Sequence, residues 1–549
     1  MAFAFDPLNT NMVWKCQCST TNINKYNDTN STVHWVDQEL GHEEDVMCAL
    51  MAPPGGPYEL LTGSWDDDGF AFTNLDVYPK TTLGVVGSWN GHTWGMAYQR
   101  SNPNNMLRIG AQTHYGRAAL KVCKSANGGA TWNQLTNFPA TNFPAVCAVS
   151  ATNPNNLVVI GSPWYSSDAT GNSWPSSLTN ATPWLCSTNG GTNWLVITGL
   201  PTPPTYTGQT VYYLNLAADG ANGNKFYYYD RVSSGSGKVY LSTNGGQTFP
   251  VVYNGPVNNN QGNYSMFKAR PDVEGDLWFS VDNDNPSYIS GRTPAVEGLY
   301  HSSNGGANWS KLATVDRSWS FGFGLPVTNG GPATLFMFGR TNGSTSDSLY
   351  RSPDLGQTWQ NLQSPTNLLG DSPQWIEGSW QTTNRVFVGM QGRGVFYGTY
   401  VPPPLYTLAV TNGSGSGSYT NGTTVNLSAS NAPTGMLFAN WMVISGNPAI
   451  ANPNATNTTL TMPATNVSVT VSYEGLTTSG VGVTNGFGFT IAGGLDNRTN
   501  QVTVFVSTNL INWLSMTNLI LTNRSMYFRD PQWTNQPSLF YRLQFYLVP

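Results

Sequence analysis

The sequence has few charged residues and no long apolar run, and each shortage excludes a class of protein. Charged residues make up 10% of the 549 residues, and the net charge is −5. No basic stripe is therefore available to neutralise the phosphates of a nucleic acid. No apolar run reaches the roughly 18 residues of a transmembrane helix. No long window has the apolar spacing of an amphipathic helix, whereas short alternating runs are present, so we predict an all-β chain.

Cysteine is also scarce, and its positions leave several states open. The six cysteines all lie in the first third of the chain, at positions 16, 18, 48, 123, 147 and 186. Their pairing cannot be read from the sequence. Cys16, Cys18 and Cys48 lack the nearby histidine of a convincing zinc site. We expect one or two disulfides or buried free thiols, and no metal or other cofactor. Nucleophile-elbow, P-loop and zinc-protease motifs are all missing.

One short pattern recurs five times in the first two-thirds of the chain. The copies are Ser125–Trp132, Ser187–Trp194, Ser242–Phe249, Ser302–Trp309 and Ser352–Trp359. Four copies have Ser-x-Asn-Gly-Gly followed by an aromatic residue, and the fifth has Asp-Leu-Gly. Such residues favour a tight hairpin turn, because Gly accepts positive φ and Asn or Asp bonds its own backbone. We interpret the repeat as a folding device, and the Asn in four copies argues against a calcium loop.

The repeat resembles the Asp-box, also called the BNR repeat, of sialidase-like and xyloglucanase-like β-propellers. The copies are spaced by about 57 residues on average, a spacing typical of repeat architectures. At that spacing, residues 1–400 hold about seven blades, within the known range of four to eight. The prediction is an all-β chain with a seven-bladed β-propeller at residues 1–400.

Two further β modules are predicted after the propeller. Residues 401–404 form a stiff linker that contains three prolines. Residues 405–475 resemble an internalin-B-repeat-type module. Residues 476–549 resemble a compact β module of a kind seen at the C-termini of bacterial secreted proteins. Either module could bind glycan, anchor the protein or act as a spacer.

Four stretches of the first 400 residues are similar to the second propeller of glycoside hydrolase family 74, the xyloglucanase family. The stretches are Gly41–Gly56, Leu61–Asp76, Val273–Trp278 with Ser320–Gly324, and Arg385–Gly398. Their order and spacing also fit that family. The resemblance implies a secreted, extracellular, endo-acting hydrolase that cleaves the β-1,4-glucan backbone of a xyloglucan-like polysaccharide by inversion.

The resemblance also implies a catalytic residue. In this family two aspartates act across a cleft between two propellers, and the acid of the second propeller aligns with Asp66. A general acid needs a raised pKa. Trp65 would supply an apolar wall, and the neighbouring Asp67 and Asp68 would add like charge. Side chains alternate across a sheet, so Asp68 could share a face with Asp66. Asp66 and Asp68 are therefore the predicted catalytic residues.

The sequence departs from the family in one serious respect, since no second set of repeats is present. An inverting enzyme needs a second carboxylate about 6.5–9.5 Å away to activate water. Candidates in this chain are Asp37, Glu39, Glu43, Glu44 and Asp45. A separate N-terminal propeller, or a missing N-terminal half, could also supply it. No signal peptide is recognisable at Met1, so either a leader has been removed or the sequence is a fragment.

Aromatic residues are the candidates for sugar binding, because flat rings stack on sugar faces. The predicted substrate-binding residues are Trp65, Trp89, Trp94, Tyr115 and Trp164. Two functions stay open. The chain is either a hydrolase that acts on polysaccharide with Asp66 as its acid, or a non-catalytic propeller that binds glycan or builds an extracellular assembly.

Overall fold

The structure is a computed structural model that describes most of the chain. The described residues are 2–17, 20–26, 35–37, 46–64, 68–77, 79, 82–84, 93–111, 120–139, 144–161, 184–200, 215–230, 237–254, 266–281, 297–363, 369, 373–390, 392–494 and 500–547. The chain divides into two compact units, Met1–Tyr400 and Val401–Pro549. Strands dominate both units, which confirms the predicted all-β class.

In the described part of the first unit, the strands form eight small antiparallel sheets, and each sheet is built from strands consecutive in the chain. The first sheet holds β1 to β4, at Ala2–Asp6, Asn9–Gln17, Thr20–Tyr26 and Trp35–Asp37. The next four sheets are β5 to β7 (Met47–Met51, Leu60–Ser64, Ala71–Phe72), β8 to β11 (Thr93–Gln99, Asn102–Ala111, Leu120–Ser125, Asn133–Gln134), β12 to β15 (Pro144–Val149, Leu157–Gly161, Leu185–Ser187, Leu195–Val196) and β16 to β19 (Asn215–Ala218, Phe226–Asp230, Lys238–Ser242, Val251–Asn254). The last three are β20 to β23 (Phe267–Ala269, Leu277–Val281, Gly298–Ser302, Ser310–Lys311), β24 to β27 (Val315–Gly324, Thr334–Thr341, Ser348–Ser352, Gln360–Asn361) and β28 to β30 (Pro373–Gly378, Arg385–Met390, Val395–Thr399).

The sheets from β5 to β30 contact one another in chain order. Strand β5 contacts β8, β8 contacts β12, β12 contacts β16, and the succession continues to β28. Strand β28 in turn contacts β5, so the contacts return to the first of these sheets. Side chains from neighbouring sheets pack between them; one such cluster holds Cys48, Trp94, Leu107 and Val149. Burial of apolar side chains between sheets is the main stabilising term of such an arrangement.

Each of these sheets has two distinct edges. Met47 pairs with Ser64, Thr93 with Gly110, and Pro144 with Gly161. First strands therefore begin where second strands end, and we call this the upper edge. At the opposite, lower edge, backbone hydrogen bonds join successive sheets. Examples are Ser101 N to Ala151 O (2.9 Å), Asp272 N to Gly220 O (3.1 Å) and Leu325 N to Ser379 O (2.8 Å).

The five repeats form the turns between third and fourth strands, at the lower edge. In the first copy, Ser125 Oγ accepts a hydrogen bond from Gly129 N at 2.9 Å, and Asn127 Oδ1 accepts one from Thr131 N at 2.9 Å. The same serine-to-glycine bond recurs in the other four copies, at 2.7–3.0 Å. Gly129 has φ of 91°, and a Cβ there would lie 2.6 Å from Leu61 of the preceding sheet. The repeat thus forms the turn of a hairpin and packs that turn against the preceding sheet.

The seam between the last and first of the contacting sheets is made by side chains. Trp375 Nε1 donates to Met47 O at 3.0 Å near the upper edge. Near the lower edge, Glu59 accepts hydrogen bonds from Ser379 Oγ and Arg385 Nη1, both at 2.6 Å. These bonds tie residues more than 300 positions apart in the sequence.

The second unit contains three sheets in its described part. The largest has the order β33-β31-β38-β39-β42, with β35 paired to β38; the others have the orders β32-β34-β37-β36 and β41-β40-β43. The strands are β31 to β34 (Leu405–Thr411, Gly413–Ser414, Gly417–Thr420, Thr424–Ala429), β35 to β38 (Met436–Ser445, Ala449–Ile450, Asn457–Thr461, Val467–Gly482) and β39 to β43 (Phe487–Gly493, Asn500–Ser507, Leu514–Leu521, Ser525–Asp530, Phe540–Leu547), with a short 3-10 helix at Trp533–Asn535.

One strand is shared by two apolar cores in this unit. Val469 and Val471 of β38 belong to a core around Trp441. Leu476, farther along β38, packs against a second core around Ile491. The boundary predicted between residues 475 and 476 therefore falls inside a continuous strand.

The described cysteines decide between the states left open by the sequence. Cys48, Cys123, Cys147 and Cys186 are buried free thiols, so a disulfide among these four is wrong and the free-thiol alternative is confirmed for them. Burial raises the pKa of Cys186 to about 11, which keeps this thiol protonated. Cys18 and the side chain of Cys16 lie outside the described residues.

Among the described residues, no helical segment has the length and apolar character needed to cross a bilayer.

Candidate functional site

The predicted acid follows the second strand of the first contacting sheet. Strand β6 ends at Ser64, at the upper edge, and the next described residue is Asp68. Trp65 and Asp66 therefore lie outside the described residues. On either side of them, Ser64 pairs with Met47 and Asp68 is packed in the interior.

Tight backbone contacts fix the residues that follow Asp66. Thr62 N donates to Phe70 O at 2.8 Å, and Phe70 N donates back to Thr62 O at 3.1 Å. Gly69 has φ of 109°, and a Cβ at this position would lie 1.9 Å from Thr62 O. Only glycine fits here without moving the backbone. Leu83 N also donates to Gly69 O, at 2.8 Å.

Asp68 is held by a buried arginine from the neighbouring sheet. Its side chain is 5% exposed, and its Oδ1 lies 3.8 Å from Arg108 Nη2, whose side chain is 0% exposed. Arg108 Nη2 also donates to Gly84 O at 3.2 Å, and the guanidinium lies 5.3 Å from the ring centre of Trp132. Burial lowers the pKa of Arg108, while Asp68 acts in the opposite direction. A buried pair of this kind is stable only while both charges are present.

The geometry gives Asp68 a different character from a catalytic acid. A carboxyl group that protonates a glycosidic oxygen must be reached by the sugar. Asp68 has φ of 55° and faces the interior beside Arg108. Its catalytic role stays a prediction, and its burial favours a positioning role. The sequence held one signal of this contact, since Arg108 is the single charged residue in the apolar run Met106–Ile109.

Trp94 is the one predicted sugar-binding residue among those described. It lies at the start of β8, is 7% exposed and packs in the core with Leu107. Its neighbour Thr93 is close to β6, because a Cβ on Gly63 would lie 2.6 Å from the Thr93 side chain. Trp94 and the strand that leads to Asp66 therefore meet at the upper edge. Substrate contact by Trp94 stays a prediction.

Trp89, Tyr115 and Trp164 lie outside the described residues. Their positions in the chain are informative even so. Tyr115 comes after β9 and Trp164 after β13, and both strands end at the upper edge. Trp89 precedes β8, which begins at that edge. The described strand ends that flank these segments lie at the upper edge, as does the end of β6 before Asp66.

A cavity of about 340 Å³ lies between the first strands of the contacting sheets. Trp94 is in its wall, together with charged residues that the sequence did not single out, Lys268 and Glu377. Within the described residues, no group of three or more His, Cys, Asp or Glu side chains is placed to hold a metal ion.

Comparison with known proteins connects the chain to xyloglucanases. It is 25% identical over 380 residues to a xyloglucanase of Paenibacillus sp, a match that covers 67% of this chain and 32% of that protein. It is 28% identical over 388 residues to an oligoxyloglucan-reducing end-specific xyloglucanase of Emericella nidulans, covering 69% of this chain and 44% of that protein. The chain thus spans less than half the length of these two relatives.

Solved structures show the same relationship at the level of the fold. The glycoside hydrolase family 74 xyloglucanase of Xanthomonas campestris matches with a TM-score of 0.55 at 21% identity, over 73% of this chain and 50% of that one. The family 74 enzyme of Niastella koreensis matches with a TM-score of 0.52 at 22% identity, over 72% and 48%. Residues 406–476 match the model of the divergent InlB B-repeat domain. Both predicted resemblances are confirmed: the chain is similar to xyloglucanases of family 74 and carries an InlB-repeat-like segment.

Proposed function

We propose that residues 1–400 contain a seven-bladed β-propeller of the xyloglucanase type. Seven sheets, β5 to β30, contact one another in chain order, and the last contacts the first. Each would be one blade, with its first strand innermost. The internalin-B-repeat-like module at 405–475 and the module at 476–549 would follow the linker at 401–404.

The proposed activity is endo-hydrolysis of a β-1,4-glucan backbone in a xyloglucan-like polysaccharide, with inversion. Asp66 would be the general acid that protonates the departing glycosidic oxygen. The observation that carries this proposal is the anchoring of the chain beside Asp66. Gly69 packs against the backbone of Thr62, and Asp68 forms an ion pair with buried Arg108. A general acid must be held within hydrogen-bond reach of the oxygen that it protonates, and such anchoring supplies that precision.

Asp68 would then act as a positioning residue and not as a second catalytic acid. Trp65, Trp89, Tyr115 and Trp164 would present their rings to the sugar at the upper edge, with Trp94 behind them. The described residues support this arrangement through the strand ends that carry those segments.

The relatives have further sequence outside the region that this chain matches. The general base would lie in sequence of that kind. The relatives are single chains more than twice as long as the matched region, so they give no support to a separate partner subunit. The burial of Asp68 beside Arg108 favours a second candidate function, because Asp68 then does not supply the second carboxylate that inversion requires. The second candidate is a propeller that binds glycan without cleaving it.

The release of reducing ends from xyloglucan tests the proposal. We expect release by the chain joined to the sequence that supplies the base, and Asp66→Asn in that protein to lower the rate by roughly 10²–10⁴-fold because general acid catalysis is lost. Asp316→Asn, at an exposed position of β24, is the matched control and should keep full activity. Equal activity in the Asp66 variant would remove this residue from the mechanism. No release from any glucan, with retained binding, would favour the glycan-binding function.

The proposed location is extracellular, where the polysaccharide substrate is found. The second unit would bind glycan, anchor the protein or act as a spacer. A pull-down of residues 401–549 on insoluble glucan separates the first of these roles from the other two.

A further inference from the structure

The cavity between the first strands exists because small residues line it. Ala49, Gly95, Ala148, Ala217 and Ala269 come from five different first strands and lie in its wall. Larger side chains at these positions would fill the centre. The volume of about 340 Å³ lies at the lower end of the range of ligand sites.

A salt bridge crosses the cavity between sheets that are not neighbours. Lys268 of β20 pairs with Glu377 of β28, and Lys268 Nζ also donates to Ile376 O at 3.0 Å. The two side chains are 19% and 22% exposed, so solvent reaches them. Burial raises the pKa of Glu377, and the charge of Lys268 opposes this shift.

This pair keeps hydrogen-bonding capacity that the described residues do not use. A lysine ammonium has three N–H donors, and Lys268 directs two of them to the protein. In the described part of the chain, only one carboxylate oxygen of Glu377 has a hydrogen-bond partner. Gln374, which also lines the cavity, contributes an amide. Donors and acceptors therefore lie side by side.

Aromatic rings form much of the remaining wall. Trp319 and Trp375 line the cavity with partly exposed rings, whereas Trp94, Phe267 and Phe323 are buried in the wall. The partly exposed rings offer apolar faces on which the C–H faces of a sugar stack. The cavity thus combines stacking surfaces with a paired donor and acceptor.

We propose that this cavity binds one small neutral polyhydroxylated molecule, a hexose or pentose monosaccharide. A hydroxyl group both donates to the Glu377 carboxylate and accepts from the Lys268 ammonium. The pair carries no net charge, so it offers no net attraction to an anion or to a cation. At about 30 Å³ for each water in the liquid, the cavity replaces roughly ten waters, which suits one sugar ring and not a polymer. The proposal does not depend on the proposed hydrolase function.

Isothermal titration of the full chain tests this assignment. The probes are D-glucose, D-galactose and D-xylose, with glucuronate and glucosamine as charged analogues. We expect one neutral sugar to bind at a stoichiometry of one per chain, and each charged analogue to bind at least about tenfold more weakly, a difference of about 1.4 kcal/mol. The proposal would be overturned if only the charged analogues gave a heat of binding. It would also be overturned if none of the sugars bound at concentrations up to roughly 10 mM.

Two variants locate the bound sugar. Ala217→Leu fills the hollow and leaves the ion pair in place, and the double variant Lys268→Met/Glu377→Gln removes the pair; both should abolish binding. The matched control is Lys225→Met/Glu274→Gln, which removes the exposed ion pair of the same type, 2.6 Å long. Binding that survives Ala217→Leu in a folded protein would place the sugar elsewhere. Displacement of the sugar by a xyloglucan oligosaccharide would assign it to the polysaccharide site instead.

Discussion

The upper and lower edges of the contacting sheets are held by different means. At the lower edge, five near-identical turns use a serine hydroxyl and an Asn or Asp side chain to bond their own backbone. At the upper edge beside Asp66, a single buried ion pair joins Asp68 to Arg108 of the next sheet. Repetition spreads the stability of the lower edge over many small contributions, whereas the ion pair at the upper edge has no copy among the repeats.

The largest expected effect is at the ion pair. Arg108→Met should lower the free energy of unfolding by about 3–5 kcal/mol, because the Asp68 carboxylate stays buried without the opposite charge. Urea denaturation measures this loss. Arg393→Met, at an exposed arginine, is the control and should change the midpoint little. A loss at Arg108 as small as in the control would show that the ion pair contributes little to the stability of the upper edge.

A smaller effect is expected where a turn glycine is replaced. Gly129→Ala should cost about 1–2 kcal/mol through its positive φ, and more if Leu61 cannot move away from the new methyl group. The melting temperature reports this change. Gly343→Ala, also at positive φ but with open space around the Cβ, separates backbone strain from the clash. Equal losses at the two glycines would mean that packing against the preceding sheet contributes nothing.

A single serine of the repeat should matter less. Ser125→Ala removes the hydroxyl that accepts from Gly129 N, and the expected cost is about 0.5–1.5 kcal/mol. The double variant Ser125→Ala/Ser242→Ala should show nearly additive losses, because the two turns belong to different sheets. Strong coupling between them in thermal unfolding would contradict the view that the lower edge is a set of independent turns.

The smallest effect is a pH dependence confined to the last turn. Burial would raise the pKa of Asp354, but hydrogen bonds from Thr358 and Ser352 outweigh it and lower the pKa. The stability from this carboxylate is therefore present above its unfolded pKa of about 3.9 and lost as the pH falls through the folded value. Asp354→Asn, the residue found in four other copies, should lower the melting temperature slightly at pH 7, and this effect should shrink as the pH falls through the folded pKa. A difference in melting temperature between wild type and variant that grows as the pH falls would contradict this expected pH dependence.

Much of the fold could be predicted from the sequence, because its determinants are local. A Ser-x-Asn-Gly-Gly turn carries its own hydrogen-bond partners, so each copy predicts a hairpin without knowledge of the rest. The contacts between sheets are a different matter. Lys268 and Glu377 are 109 residues apart, and Arg100 and Asp272 are 172 apart, and neither pair has a local pattern that links its members.

The candidate site shows the same division. The motif around Asp66 is contiguous, so the sequence alone could single it out. The contact between Asp68 and Arg108 could not be read from the motif, because Arg108 belongs to another sheet. The sequence singled out Asp66 as the acid and offered Asp68 as a second catalytic candidate, and the burial of Asp68 beside Arg108 favours a positioning role for it.

Hydrolysis of two substrates by two variants tests this distinction most directly. A general acid is dispensable when the leaving group is already a good one, so Asp66→Asn should lose activity on xyloglucan but keep most of it on an aryl oligoglucoside with an acidic phenol. Asp68→Asn, which displaces the site without removing the acid, should lower both activities by similar factors. Equal losses on both substrates for Asp66→Asn, or rescue of Asp68→Asn by the aryl substrate, would contradict the account.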